Sequence, residues 1–300
     1  RFFDWCEEED GPDSVGDLDG FHLSDFKMYR REEDGINEVT LYNQMTVMRV
    51  FIRWLESRGL VESGLSDNML MPQPDDDART EKIDSETAGQ ILQYLQKYEY
   101  ATKRHALFTL LWDTGFRIGT VRALDLGDYH PDEQYVELNH RPETDTPLKN
   151  GTDAEREVNL HGWVCEVLDD YVGMHRDDVT DEAGREPLLT TAHGRPVAST
   201  LRPLISTVTR PCHYGEDCPH DRNPESCEAA QRREYAQRCP SSVPPHAIRR
   251  SSITAWLNRG HRKELISDRM DVSTDTLDKH YDARSETEKR ELRQEAFGME

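Results

Sequence analysis

Asp113-Thr114-Gly115-Phe116-Arg117-Ile118-Gly119-Thr120-Val121-Arg122-Ala123-Leu124-Asp125-Leu126-Gly127-Asp128 is the most informative run in this 300-residue chain. An apolar helix over about 102–114, carrying Leu107, Leu110 and Leu111, ends at Gly115. Glycine is the residue that most readily closes a helix in the left-handed conformation. Arg117 then opens a second helix that packs through Val121 and Leu124. With its backbone held on both sides, the Arg117 guanidinium can be aimed. Taken by itself, the run reads first as a surface arginine paired with Asp125 or Asp128.

Working outward, residues 17–66 form a small helical unit. Asp17 to Arg31 sets Leu18, Phe21, Phe26 and Met28 among charges, an imperfect amphipathic helix. In the next segment Val47, Val50, Phe51, Trp54 and Leu55 recur at helical steps, and Gly59 stands where a C-cap glycine belongs. Arg49, Arg53 and Arg58 lie between them, facing either a phosphate backbone or plain solvent. Two prolines and an acidic run at 71–79 are linker chemistry. A second unit starts near Ile83, with Asp84 as N-cap and Ile91, Leu92 and Leu95 on one face. From Tyr135 to Leu160 alternating runs (Val136, Leu138; Val158, Leu160) flank Lys149-Asn150-Gly151, a hairpin signal. Helical patterns return at about 161–175, 199–209, 246–259 and 262–270.

Three later segments add chemistry to Arg117. Pro245-His246-Ala247-Ile248-Arg249 carries a histidine and an arginine one helical turn apart. Leu277-Asp278-Lys279-His280-Tyr281-Asp282 ends in a tyrosine, and Leu148-Lys149 lies on the hairpin. In residue types, order and separation these segments resemble the boxes of the tyrosine recombinase (phage integrase) family. Arg117 and Arg249 match its two arginines, 132 residues apart, and Tyr281 its nucleophile, 32 residues further. Lys149 matches its hairpin lysine and His246 its His-x-x-Arg box. The likeness is firm over about 83–290 and looser over 17–66.

That resemblance implies a mainly α fold with a small β-sheet (α+β). An N-terminal helical, SAM-like core-binding domain with its linker (1–78) would precede a catalytic domain (79–300), the two closing as a C-shaped clamp on double-stranded DNA. It implies a site-specific recombinase that works through a 3′-phosphotyrosine, as a multimer (a tetramer on DNA), with no cofactor for catalysis. The sequence departs from the family pattern twice. Arg250 follows Arg249 where a histidine is common, and the family's His or Trp nine residues before the tyrosine falls at Val272. That sixth position is vacant, filled by Arg269 or Asp271, or shifted by an insertion.

The residue types suit the chemistry independently of any likeness. A phosphodiester resists attack because its anionic oxygens repel a nucleophile. Two guanidiniums gripping those oxygens as forks stabilise the added charge of the transition state. Tyr281 supplies the nucleophile, His246 a proton acceptor or phosphate ligand, and Lys149 a proton for the leaving 5′ oxygen. Two other readings remain open: a type IB topoisomerase-like nicking-closing enzyme, and a non-catalytic zinc-containing DNA-binding regulator.

Composition bears on the solvent more than on the partner. Asp and Glu number 59 against 37 Lys and Arg, for a net charge of −22, and only 8 of the cations are lysine. Net charge of this sign opposes DNA binding, so a local arginine-rich face must carry it. A carboxylate-rich, lysine-poor surface fits molar salt, where screening shortens to about 3 Å, and suggests a halophile. No apolar run reaches the roughly 18 residues of a membrane span. The acidic start (Asp4, Glu7, Glu8, Glu9, Asp10) is unlike a secretory signal. A cytoplasmic, DNA-associated protein with no membrane partner is the expectation.

Four of the six cysteines, Cys212, Cys218, Cys227 and Cys239, crowd into a polar insert at about 211–240. Inside a cell such a cluster reads as a metal site before a disulfide framework. The spacing is not that of a common zinc finger. A structural zinc on these four, with His220 as the substitute ligand, stands beside the plainer reading of a loose insert with reduced thiols.

Overall fold

The computed structural model describes residues 1–8, 11–32, 34–73 and 82–281, with 287, 290, 293, 294 and 298 beyond them. Most of the expected linker (74–79) and most of the charged tail from Ser285 to Glu300 lie outside the described residues. The chain divides into compact units at 1–80 and 81–300.

The first unit contains α1 (Phe2–Glu8), α2 (Gly20–Glu32) and α3 (Glu38–Ser57). Asn37 caps α3 by accepting from the Thr40 N–H, and Gly59, at φ +66°, follows its C-cap. The buried stripe of α3 is Leu41, Met45, Met48, Ile52 and Leu55. Val47, Val50 and Trp54, expected on the core face, point outward with more than half their surface exposed. On α2, Leu23 and Phe26 face the core while Phe21 and Met28 are exposed; Leu18 is buried but precedes the helix. Of the three interspersed arginines, Arg49 donates to the Met69 carbonyl, Arg53 to Asp67, and Arg58 lies over the Trp54 ring.

The second unit is built around α5 (Lys103–Thr114), buried from His105 to Thr114. Each of Leu107, Leu110 and Leu111 contributes about 1.5–3 kcal/mol by leaving water. Around it pack α4 (Ser85–Tyr98), α6 (Ile118–Ala123), α7 (Gly162–Met174), α8 (Ala198–Val208) and α10 (Pro245–Asn258). Asp84 caps α4 by accepting from Thr87 N–H. Between α6 and α7 lies an antiparallel sheet ordered β1 (Tyr129–His130), β2 (Tyr135–Leu138), β3 (Arg156–Asn159). Val136 stands opposite Val158, so the alternating runs pair as their periodicity requires. Asn150-Gly151 is not a two-residue hairpin turn. It sits inside a long connection containing two 3-10 turns, with Gly151 at φ +65°.

The insert carries the short α9 (Glu228–Gln231), and the described chain closes on α11 (Lys263–Met270) and α12 (Thr274–His280). Ile253, Leu257, Ile266, Met270, Val272, Leu277 and Tyr281 form a second small core among α10, α11 and α12.

Candidate active site

The end of α5 sets the first arginine. Gly115 adopts φ +61° and donates to the Leu111 carbonyl, and Thr114 Oγ1 receives the Phe116 N–H at 3.2 Å. A Cβ on Gly115 would stand 2.9 Å from Met270 Sδ, so glycine serves both the turn and the approach of α11. Arg117 is the N-cap of α6, its carbonyl taking the N–H groups of Thr120 and Val121. The surface pairing that the local run suggests does not form. Asp125 is held by Arg141, Arg185 and Arg195, and Asp128 by Arg141. Arg117 turns instead to Asp271, with Nη1 2.5 Å from Oδ2 and Nη2 donating to the Asp271 carbonyl at 2.9 Å.

Asp271 caps α11 in the left-handed conformation, φ +50°. Its carbonyl also accepts from Arg249 Nη2 at 3.1 Å, while Arg249 Nη1 donates to the Gly115 carbonyl at 2.7 Å. One backbone oxygen therefore ties the two guanidiniums together. Arg249 is only 2% exposed. Burial, and then the nearby Arg117 charge, push its guanidinium down to about 10, while Tyr281 and Asp271 act against them. It remains a cation at neutral pH. Ser252 Oγ donates to the Trp112 carbonyl at 2.7 Å, and Ser251 Oγ takes the Ile83 N–H at 2.9 Å; these bonds seat α10 against α5 and the start of the unit.

Tyr281 follows α12, its N–H bonded to the Leu277 carbonyl at 3.0 Å. The residue is 7% exposed, and its side chain lies close to the Arg249 guanidinium. His246 stands one turn before Arg249 on α10. Its imidazole is held below the ordinary histidine range, first by lost hydration and then by Arg250, Arg249, Arg117 and Lys149. Lys149 is exposed, and the neighbouring Asn150 Nδ2 donates to Asp271 Oδ1 at 2.6 Å. Arg117, Lys149, His246, Arg249 and Tyr281, drawn from four separate segments, thus share one locality.

The sixth position resolves into its parts. Val272 is buried in the small core. Arg269 lies over the Trp256 ring and bonds Asp113 and the Asn159 carbonyl, without a bond to Arg117 or Arg249. Only Asp271 reaches the arginines. Asn150, which the sequence marked merely as part of a turn, joins this cluster through its bond to Asp271; its adjacency to Lys149 was the one available signal.

The four insert cysteines are half-buried and unpaired. With His220, Arg210 and Arg222 they line one small void of about 10 Å³. Burial pushes the Cys212 thiol up, and the other three cysteines add to that. Backbone N–H groups of Ala230 and Ala229, with Arg222, pull Cys227 down. His213 lies outside this group, against Glu99 at 3.1 Å and the Tyr94 ring. Among the described residues no three His, Cys, Asp or Glu side chains stand in ready metal-binding geometry.

No protein-family model matches the chain. Two curated relatives, both named tyrosine recombinase XerC and both from Neisseria meningitidis serogroup C, are 23% identical over 153 residues. That match covers 49% of this chain and 45% of theirs, so the chain spans about half the length of the curated relatives it matches. Among solved structures, the Tn1549 transposon integrase in complex with transposon right end DNA superposes with a TM-score of 0.68 at 15% identity, over 99% of this chain and 91% of that one. A λ integrase dimer bound to a core site gives 0.62 at 11% identity, over 95% and 71%. No helix among the described residues is long and apolar enough to cross a membrane. The chain has the fold shared by the tyrosine recombinases and integrases, mainly helical with a small three-stranded sheet.

Proposed function

We propose that this chain is a site-specific DNA recombinase that cuts and rejoins double-stranded DNA through a 3′-phosphotyrosine at Tyr281. The observation that carries this reading is the junction of Arg117, Arg249 and Tyr281. Two cations share one backbone anchor, and the tyrosine expected as nucleophile stands beside one of them, Arg249. The matched integrases were solved on DNA, one of them as a dimer on its core site, which supports a DNA substrate and assembly into a multimer.

The reaction follows from the groups present. The phenol oxygen attacks phosphorus and the bond to the 5′ oxygen breaks. The phenol proton passes to His246, whose depressed basicity keeps it neutral and ready to accept near pH 7. Lys149 gives the leaving 5′ oxygen its proton. Arg117 and Arg249 hold the non-bridging oxygens and stabilise the charge that gathers on them. A 5′-hydroxyl then attacks the phosphotyrosine and reverses the sequence, so the bond energy is kept and no nucleotide cofactor is required. Asp271 stands in the way of a phosphate at Arg117: its carboxylate accepts where an anionic oxygen would, and substrate must displace or outweigh it.

The large carboxylate excess we assign to life in molar salt, as a cytoplasmic protein working on DNA. The functional test is strand exchange between two duplexes carrying the ends of the protein's own genetic element, run in molar KCl. Exchange is expected. Relaxation of supercoils by a monomer, without exchange, would instead make the chain a topoisomerase-like enzyme.

A further inference from the structure

The recombinase reading leaves the insert between α8 and α10 without a task, although it holds four of the six cysteines. We propose that Cys212, Cys218, Cys227 and Cys239 bind one zinc ion as four thiolates, a structural site that fixes the entry to the helix bearing His246 and Arg249. Four residues as far as 27 positions apart in sequence line one void, and that void has room for about a single water-sized sphere. The thiols line that void without standing in ready metal-binding geometry, so an ion there would draw the four together into a tetrahedral thiolate site.

The charges at the void fit the same occupant. Four thiolates and a divalent ion leave a net charge of −2. Arg210 and Arg222, two cations, line the same void, and Arg210 is only 5% exposed. The histidines are otherwise engaged, His213 with Glu99 and His220 through Nε2 to Ser241 Oγ at 2.8 Å. The all-cysteine set is therefore preferred over one with His220. Binding releases the thiol protons to solvent as Zn²⁺ enters, so metal affinity rises with pH.

The position links the ion to the active site. Thr209 Oγ1 takes the Val243 N–H at 3.0 Å and closes the base of the insert. Beyond Cys239 the chain reaches Pro244 and Pro245, which start α10 directly ahead of His246. The 3-10 turn ending at Arg238 packs on α8. A tether at Cys239 therefore restrains the backbone that leads to the histidine. This inference does not depend on the recombinase reading.

The test uses the whole chain, purified with zinc in the medium and dialysed against metal-free buffer. Elemental analysis should find about one zinc per chain, and alkylation of the native protein should spare the four insert thiols until a chelator is added. After denaturation with chelator and no reductant, all six thiols should react. Zinc below about 0.3 per chain after reloading, or insert thiols that react in the native chain as fast as in the denatured one, would overturn the proposal. So would two missing thiols after denaturation, which would mean a disulfide. The variant Cys227→Ser should lose the metal; retention of a full equivalent would overturn the ligand set, and the wild-type measurements stand even if that variant fails to fold.

Discussion

Replacing Asp271 by Asn changes one charge at the arginine pair and little else. Asn tolerates the left-handed backbone at φ +50° as well as Asp does, and the main-chain carbonyl that binds Arg117 and Arg249 is kept. What disappears is a carboxylate 2.5 Å from Arg117 Nη1. A phosphate oxygen gripped by the same guanidinium would stand about 5 Å from that carboxylate, a repulsion of at most about 3 kcal/mol at an effective dielectric of 20. The two side chains are 24% and 17% exposed, so solvent screening reduces this to about 1.5 kcal/mol, or roughly tenfold in affinity. D271N should bind its DNA site about tenfold more tightly in 0.1 M salt by fluorescence anisotropy, and form adduct at least as fast in single turnover. The gain should shrink in molar KCl, where screening shortens to about 3 Å. If D271N instead binds or cleaves tenfold more weakly, the carboxylate positions Arg117 and does not compete with substrate.

Arg249→Ala should lose at least about 10²–10³ in cleavage rate. It should also lower thermal stability, because the Gly115 carbonyl loses its buried donor at a cost of about 1–3 kcal/mol. Cleavage at the wild-type rate would remove Arg249 from the site. The rate–pH profile should keep its plateau down through the ordinary imidazole range near 6.5 and fall only below it, since His246 is held neutral by its surroundings. The sign for stability agrees. A histidine whose folded value is depressed takes up protons more readily when unfolded, so the fold loses stability as pH falls from the unfolded value through the folded one. An acidic limb centred above about 6.5 and unchanged in His246→Gln would exclude His246 as the base. Lys149→Ala should cleave slowly on ordinary DNA and recover on a substrate with a better 5′ leaving group; no recovery would remove Lys149 as the acid.

The candidate site was more legible than the packing. Arg117, His246, Arg249 and Tyr281 stand out through their order and separation along the chain, as the family resemblance reads them; the run around Arg117 alone reads first as a surface arginine. The central helix was equally plain, since α5 is apolar almost throughout. The register of α3 was not. Val47, Val50 and Trp54 keep helical spacing as faithfully as Leu41, Met45, Met48 and Ile52 do, and a periodicity that fits two faces cannot say which one is buried. Asn150-Gly151 misled in another way: the same residue pair that makes a tight hairpin also serves a long loop, and the partner that fixes Asn150 lies 121 residues away. Asp271 could be narrowed to but not chosen. Its approach to Arg117 depends on a left-handed backbone at the end of α11 and on Met270 filling the space beside Gly115, neither of which a local pattern encodes.

Covalent trapping decides whether Tyr281 is the nucleophile. Nicked DNA carrying the junctions of the protein's own element would be incubated with wild-type chain and with Tyr281→Phe in molar KCl, then resolved on denaturing gels. Wild type should give a protein–DNA adduct, mapped to the peptide containing Tyr281, and the variant none, although it should still bind the same DNA. An adduct that survives in Tyr281→Phe would mean that another residue attacks the phosphate. Binding by the wild type with no adduct under any salt condition would contradict the phosphotyrosine chemistry itself.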